Sequence, residues 1–274
     1  MPPTFNLEKN KEASMIKKTC CLSLLLSLLA SPALAHFGML IPDSDIIGQK
    51  KRTANIQLSF SHPFELVGMD LAMPASFTVT SGGKTRDLKP RLRANSLMGH
   101  QAWQTDYSFK RPGIYQFVME PQPYWEPGED LSIIHYTKTI IPAFGDDEGW
   151  DQALGLPAEI VPRLRPFGNY AGNTFVGQVL IKGKPLAHAE VEVEFYNRDN
   201  KFSAPSDYHV TQVIKADRDG VFSFSCPQAG WWGFAALTEA DYTLKNPQGE
   251  DKGVEIGAVL WTYMHPLSTI KNSQ

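Results

Sequence analysis

The run Leu131-Ser132-Ile133-Ile134-His135-Tyr136-Thr137-Lys138-Thr139-Ile140-Ile141 is the longest β-branched stretch in the chain. Because β-branched side chains favour extended backbone, this stretch predicts a long β-strand. Residues 56–62 and 103–109 alternate apolar and polar side chains, which is the two-residue period of a half-buried strand. Turns rich in Gly and Pro separate these runs. The spacing predicts an all-β fold built from antiparallel sandwiches.

A change in composition after the long run divides the sequence into two predicted sandwich domains. The first domain spans residues 36–168 and ends in an ordered, turn-rich connector that begins near residue 142. The second spans residues 169–274 and has the size and strand spacing of an immunoglobulin-like or prealbumin-like sandwich. Within it, residues 210–224 predict a hairpin around the turn Asp217-Arg218-Asp219-Gly220.

The first 35 residues predict an N-terminal extension and a cleaved export signal. After Met15, two lysines precede an apolar run at residues 20–30, and Ala33-Leu34-Ala35 has the small-x-small pattern of a signal-peptidase site. The apolar run is shorter than the roughly 20 residues that a membrane-spanning helix needs. We therefore expect a periplasmic protein, cut after Ala35, whose first residue is His36.

Composition narrows the classes of function. A chain with 42% hydrophobic and 20% charged residues is typical of a soluble globular protein. Loss of the signal leaves Cys226 as the sole cysteine, which excludes a thiolate metal cluster. The net charge of −3, without a basic block, argues against nucleic acid as a partner. The sequence has no nucleophile elbow, phosphate-binding loop or dinucleotide fingerprint, so we predict that the protein is not an enzyme.

The predicted cut gives His36 a chemical role. A free N-terminal histidine offers a metal ion two nitrogens from one residue, because its α-amine and its imidazole Nδ1 close one chelate ring. Both groups lose their protons near neutral pH, so a metal ion displaces weakly held protons there. The alternative is that His36 merely follows an ordinary cleavage site and binds nothing.

Two further histidines are candidate ligands. His62 ends the alternating run at residues 56–62, and His135 lies on the face of the long strand that also carries Leu131 and Ile133. A histidine on an apolar face is more often a satisfied core residue than a ligand, but both positions are compatible with one end of a sandwich. Histidine nitrogens and an amine suit nickel or cobalt, and also copper or zinc.

Several short motifs resemble the DUF4198 family, described as a periplasmic component of nickel/cobalt uptake systems. The resemblance covers essentially the whole chain after residue 35. It implies an all-β periplasmic protein that binds nickel or cobalt and serves an uptake permease in the inner membrane. The motifs are His36-Phe37-Gly38-Met39-Leu40-Ile41-Pro42, Ser61-His62-Pro63-Phe64-Glu65, Pro123-Tyr124-Trp125-Glu126-Pro127, His135-Tyr136-Thr137-Lys138, Ala143-Phe144-Gly145, Gly149-Trp150-Asp151, Tyr170-Ala171-Gly172-Asn173 and Ala229-Gly230-Trp231-Trp232-Gly233-Phe234.

Two other functions fit parts of this pattern. An N-terminal histidine with a second histidine resembles the copper histidine brace of oxidative enzymes that act on polysaccharides. That function requires a flat aromatic surface and an axial aromatic residue, for which Tyr124 and Trp125 are the candidates. A metal-free structural or adhesive sandwich is the third alternative.

Overall fold

Strands account for most of the chain that the structure, a computed structural model, describes, namely residues 36–268. In chain order they are β1 (Phe37–Pro42), β2 (Thr53–His62), β3 (Val67–Met69), β4 (Ser76–Ser81), β5 (Lys84–Asp87), β6 (Arg93–Leu97), β7 (His100–Ser108), β8 (Gly113–Glu120), β9 (Tyr124–Glu126), β10 (Leu131–Ala143), β11 (Ala158–Pro162), β12 (Asn169–Tyr170), β13 (Thr174–Ile181), β14 (Lys184–Pro185), β15 (Glu190–Phe195), β16 (Gln212–Lys215), β17 (Val221–Ser225), β18 (Gly230–Glu239), β19 (Leu244–Lys245), β20 (Asp251–Lys252) and β21 (Val254–His265). A 3-10 turn (Lys89–Arg91) and a single helical turn, α1 (Asp207–Val210), complete the assignment. The predicted export signal lies outside the described residues.

A ten-stranded sheet is the central layer. Its strands lie in the order β16-β15-β18-β21-β10-β8-β4-β5, with β9 added to β10 and β12 added to β21. A five-stranded sheet has the order β1-β2-β7-β6 with β3 on β2, and a four-stranded sheet has the order β11-β13-β14 with β17 on β13. Most pairs are antiparallel, but β10 and β21 run parallel in the middle of the central sheet. The predicted all-β, largely antiparallel sandwich fold is confirmed.

The long strand β10 contributes to two hydrophobic cores because its side chains alternate between the two faces of the sheet. Ile133 and Ile141 pack with residues of the five-stranded sheet such as Leu58. Ile134 and Ile140 pack in a second core that includes residues of the four-stranded sheet. The central sheet is therefore covered on both faces, which explains why this strand reads as a continuous apolar run.

The first strand also has two buried faces. Leu40 joins the core below the five-stranded sheet, while Phe37, Met39 and Ile41 pack against Trp261 and its neighbours on β18 and β21. Trp261 Nε1–H donates to the carbonyl oxygen of Gly38 at 2.8 Å. The hydroxyl of Thr139 donates to the carbonyl of Leu40 at 2.6 Å. These contacts fix β1, and thus the residue that precedes it, over the central sheet.

The predicted hairpin at residues 210–224 is wrong. The strand β16 pairs with β15 in the central sheet, whereas β17 pairs with β13 in the four-stranded sheet. The turn itself forms, since Gly220 N–H donates to Asp217 O, but it carries the chain from one layer to the next. Gly220 has φ +73°, and a Cβ there would lie 2.8 Å from the carbonyl oxygen of Val179. Close packing of the turn on β13 draws the two strands into separate sheets.

The predicted connector at residues 142–173 is ordered and contains the strand β11 between two prolines. The carboxylate of Glu159 on this strand accepts hydrogen bonds from the backbone N–H groups of Leu154, Gly155 and Leu156. It also pairs with Lys138 Nζ at 2.6 Å, and both side chains are buried. The charge pair therefore attaches the connector to β10.

The two-domain division at residue 168 stays a prediction. The described residues belong to one compact unit. Strands from both sides of residue 168 pair directly in the central sheet, with β10 beside β21. Within residues 36–268, no helix has the length and apolar character needed to cross a membrane.

Candidate metal centre

Three strands bring the sequence-predicted histidines together at one end of the five-stranded sheet. In the antiparallel pair of β1 and β2, Phe37 lies opposite Ser61, so the next step of the register places His36 beside His62. Their ring centroids are 4.7 Å apart, with the planes tilted by 52°. The ring of Phe60 lies 5.5 Å from that of His36 and 5.8 Å from that of His135 on the central sheet. Phe60 thus lies between His36 and His135, and His36 lies beside His62.

The histidine of the central sheet is the most deeply buried of the three. His135 is 1% exposed, and its Nδ1 atom has no hydrogen-bond partner in the structure. It lies opposite Gly257 in the parallel pair of β10 and β21. A Cβ on Gly257 would lie 2.8 Å from Nε2 of His135, and one on Gly38 would lie 3.3 Å from its Cβ. Gly257 therefore leaves the space that the imidazole occupies, and Gly38 on β1 leaves room for the base of the same side chain.

We expect Gly257→Ala to displace the His135 ring and to destabilise the fold by about 1–3 kcal/mol, the usual cost of overpacking a core. Urea unfolding measures the stability, and the His135 side-chain resonances report the displacement. Gly253→Ala is the matched control, because a Cβ there meets nothing within 4 Å. Equal stability of the two variants would contradict the packing argument.

Carboxylates approach two of these histidines. Glu126 Oε2 lies 3.2 Å from Nε2 of His36, and Glu255 Oε1 lies 3.4 Å from Nε2 of His135. Glu126 ends β9, which pairs with the start of β10, while Glu255 lies on β21. Sequence reasoning did not assign either carboxylate to the site. In the sequence, Glu126 stands out only as part of a short motif. Glu255 reaches the site because β21 pairs with β10, a strand that lies far from it in the sequence.

Burial and the neighbouring imidazoles together favour a neutral imidazole at His36. Burial lowers the pKa of His36 to about 4, with the nearby imidazoles of His62 and His135 acting in the same direction. The carboxylates of Glu126 and Glu255 oppose this shift without overcoming it. At neutral pH, His36 therefore has the uncharged form that binds metal ions.

The histidines are neighbours without forming a closed metal cage. Among residues 36–268, no three His, Cys, Asp or Glu side chains converge closely enough to hold a metal ion as they stand. In this arrangement the His36 ring is turned toward Glu126. A metal ion would therefore require rotation of side chains around a site whose backbone is already assembled.

Three further side chains could in principle contribute to a metal site, namely Met39, Asp70 and Tyr124. Met39 belongs to the core around Trp261, and its sulfur accepts a hydrogen bond from the Ser61 hydroxyl at 2.8 Å. Asp70 is exposed and pairs with His100 at 3.2 Å, and it also lines a small cavity next to Phe60 and His135. Tyr124 does reach the site, since its ring lies 6.3 Å from that of His36 and 5.1 Å from that of Phe60.

Comparison with known proteins identifies the family. A search of curated proteins gave no match. Among solved structures, the chain is similar to dimeric latent PorU from Porphyromonas gingivalis, at 9% identity and a TM-score of 0.24, over 84% of this chain and 21% of that one. It is also similar to the D0-D1 domain of Intimin, at 11% identity and a TM-score of 0.21, over 84% of this chain and 100% of that one. The chain thus spans about a fifth of the PorU length, and neither likeness bears on function.

Residues 33–240 match the family described as "Domain of unknown function (DUF4198)", which is more than half of the chain, and the protein belongs to this family.

Proposed function

We propose that this protein binds a nickel or cobalt ion in the periplasm through His36, His62 and His135 and delivers it to an uptake permease in the inner membrane. The observation that carries the proposal is the chain of ring contacts among these side chains: His36 lies beside His62 and Phe60, and Phe60 lies beside His135. The ion is cargo, so the protein performs no chemical conversion of its own.

The unpartnered nitrogen of His135 supports a ligand role. A buried polar atom without a hydrogen bond costs roughly 1–3 kcal/mol, so such atoms are rare unless a ligand satisfies them. Nδ1 of His135 is such an atom, and it lies in a group of imidazoles beside two carboxylates. Imidazole nitrogens are suitable donors for nickel and cobalt, and they suit copper and zinc as well.

The fixed position of β1 supports the N-terminal chelate. Hydrogen bonds from Trp261 and Thr139 hold the backbone of Gly38 and Leu40 against the central sheet. If the chain is cut after Ala35, the new α-amine is attached to a residue that is already placed beside His62. The amine and the His36 imidazole would then bind the same ion with little loss of conformational freedom.

The test of this function is nickel titration by calorimetry on two forms of the exported protein. One form begins at His36, and the other carries one additional alanine before it. We expect the extension to weaken binding about 100-fold, or about 2.7 kcal/mol, because His36 loses the terminal amine from its chelate ring. Mass spectrometry verifies the N-terminus of each form. Equal affinity of the two forms would rule out the N-terminal chelate.

A control separates this effect from a general loss of metal binding. His62→Gln and His135→Gln are each expected to weaken nickel binding in the form that begins at His36. His209→Gln is the matched variant, because His209 is an exposed residue of α1 whose ring Nδ1 pairs with the Ser206 hydroxyl. Weakening by His209→Gln to the same extent would indicate nonspecific binding of nickel to histidines.

One observation favours the copper histidine brace as a second candidate. Two histidine rings lie side by side, and Tyr124 and Phe60 flank them as aromatic neighbours. Against it, the side chain of His36 is only 12% exposed, whereas a polysaccharide needs an open surface. Oxidation of a polysaccharide by the copper-loaded protein, supplied with a reductant and hydrogen peroxide, would favour the enzyme over the carrier.

A further inference from the structure

Two candidate histidines, His36 and His135, each have an acidic side chain close to the Nε2 atom of the ring. Glu126 Oε2 lies 3.2 Å from Nε2 of His36, and Glu255 Oε1 lies 3.4 Å from Nε2 of His135. The two carboxylates belong to different strands, β9 and β21. The same arrangement is therefore built twice by separate parts of the chain.

The chemistry of these contacts determines where the imidazole protons lie. An ionised carboxylate only accepts hydrogen bonds, and a neutral imidazole carries a single N–H. The contact of His135 with Glu255 is a hydrogen bond when the proton is on Nε2. A proton on Nε2 of His36 would likewise face Glu126, 3.2 Å away. Either proton position leaves a lone pair on Nδ1. At His135, the nitrogen left over in this way is the same Nδ1 that is buried without a partner.

We infer that Glu126 and Glu255 are positioning residues that hold His36 and His135 as their Nε2–H tautomers, so that both histidines bind the cation through Nδ1. The inference rests on the proposed function. For His36 it has an independent chemical reason, because Nδ1 is the ring nitrogen close to the backbone. Only Nδ1 closes a small chelate ring with the α-amine of the same residue.

Both carboxylates are held in place by their own surroundings. The backbone N–H of Gly128 donates to Oε1 of Glu126 at 2.9 Å, which leaves Oε2 for His36. Glu255 and Gly257 lie two residues apart on β21, hence on the same face of the sheet. Gly257 lies opposite His135 and leaves room for its ring, while Glu255 reaches the Nε2 edge of that ring. Carboxylates that orient a ligating histidine in this way also raise the basicity of its other nitrogen.

The decisive experiment is heteronuclear NMR of the metal-free protein that begins at His36, at about pH 7.5, where an ordinary imidazole is mostly neutral. The nitrogen chemical shifts distinguish the two tautomers, and single His→Gln variants assign the signals. We expect Nε2–H at both His36 and His135. A proton on Nδ1 of either histidine in the wild-type protein would overturn the inference for that residue.

Variants then test the role of each carboxylate. Glu126→Leu is expected to turn His36 into a mixture of tautomers and to leave His135 unchanged, and Glu255→Leu to do the reverse. Glu126→Gln retains an amide oxygen that accepts the N–H, so it should preserve more of the Nε2–H form than leucine does. The matched control is Glu239→Leu, opposite Glu255 in the pair of β18 and β21. Unchanged tautomers in both leucine variants of the positioning residues would overturn the inference.

Nickel titration of the same proteins separates this inference from the proposed function. Each leucine variant of Glu126 or Glu255 should bind nickel about 10–100-fold more weakly, while the Glu239→Leu control keeps the wild-type affinity. If wild-type protein binds neither nickel nor cobalt, the proposed function fails, and the metal-binding part of the inference fails with it. If it binds with full affinity in both leucine variants, the proposed function stands and the positioning role is overturned.

Discussion

Replacing Lys138 by methionine is expected to lower the free energy of unfolding by about 3–5 kcal/mol. The ammonium of Lys138 and the carboxylate of Glu159 are 2.6 Å apart, and both side chains are about 1% exposed. Burial lowers the pKa of Lys138, although the nearby carboxylate opposes that shift. Methionine keeps most of the side-chain volume, so the main change is a carboxylate left inside the protein without its counter-ion. Urea denaturation at neutral pH measures the loss.

The surface of the same protein provides a matched control. Lys182 and Asp241 form an ion pair with the same 2.6 Å separation, but their side chains are 62% and 72% exposed. Exposed pairs contribute about 0–1 kcal/mol, so Lys182→Met should change stability by no more than that. If both methionine variants lose the same small amount, the pair of Lys138 and Glu159 does not stabilise the attachment of the connector to β10.

The second large effect is a fall in stability with rising pH that originates at Glu194. Burial raises the pKa of Glu194 from 4.5 to about 8, despite hydrogen bonds from the Thr211 hydroxyl and the Phe64 N–H. Between these two pKa values the folded state keeps a proton that the unfolded state has lost. The stability contributed by this group is therefore fully present below about pH 4.5 and is lost as the pH rises toward 8, at about 1.4 kcal/mol per pH unit.

Glu194→Gln is expected to remove this dependence, since glutamine does not titrate. The unfolding free energy of the variant relative to wild type should rise by about 4–5 kcal/mol between pH 4.5 and pH 8. Glu190→Gln is the control, because Glu190 lies on the same strand with its side chain 57% exposed. A constant difference between Glu194→Gln and wild type over this range would show that Glu194 is ionised in the folded protein throughout it.

Sequence patterns predicted the alternating strands and the long apolar strand β10, and they missed the short strand β1. The alternation at residues 103–109 locates β7, because one face of that strand meets a core and the other is more exposed. The alternation at residues 56–62 locates β2, although Ser59 and Ser61 on its polar face are buried as well. All six residues of β1 are buried, since this strand packs against two cores at once. The sequence of such a strand has no alternation of apolar and polar residues. The short strand β11 is missed for another reason, because Pro157 precedes it and Pro162 is its last residue, and proline is typical of loops.

Local sequence features indicated some residues of the candidate site but not those that reach it through the pairing of distant strands. His36, His62 and His135 were chosen from local features, namely a cleavage pattern, the end of an alternating run and the face of a β-branched strand. Glu255 had no local feature of this kind. It reaches His135 only because β21 lies parallel to β10 in a particular register, and a shift of one residue would turn its side chain to the opposite face. Register between distant strands depends on the packing of the whole sheet, and short-range patterns do not contain it.

The parallel pairing of β10 with β21 has a consequence for the order of events during folding. The two strands are separated by more than one hundred residues, and the later of them is the final strand of the described chain. Closing such a long loop has a large entropic cost before any contact is gained, which makes folding of this topology slow. Until that last strand inserts, the centre of the sheet is open and His135 lacks both Gly257 and Glu255. A partly synthesised or C-terminally truncated chain is therefore expected to expose an aggregation-prone strand edge and to have no assembled site.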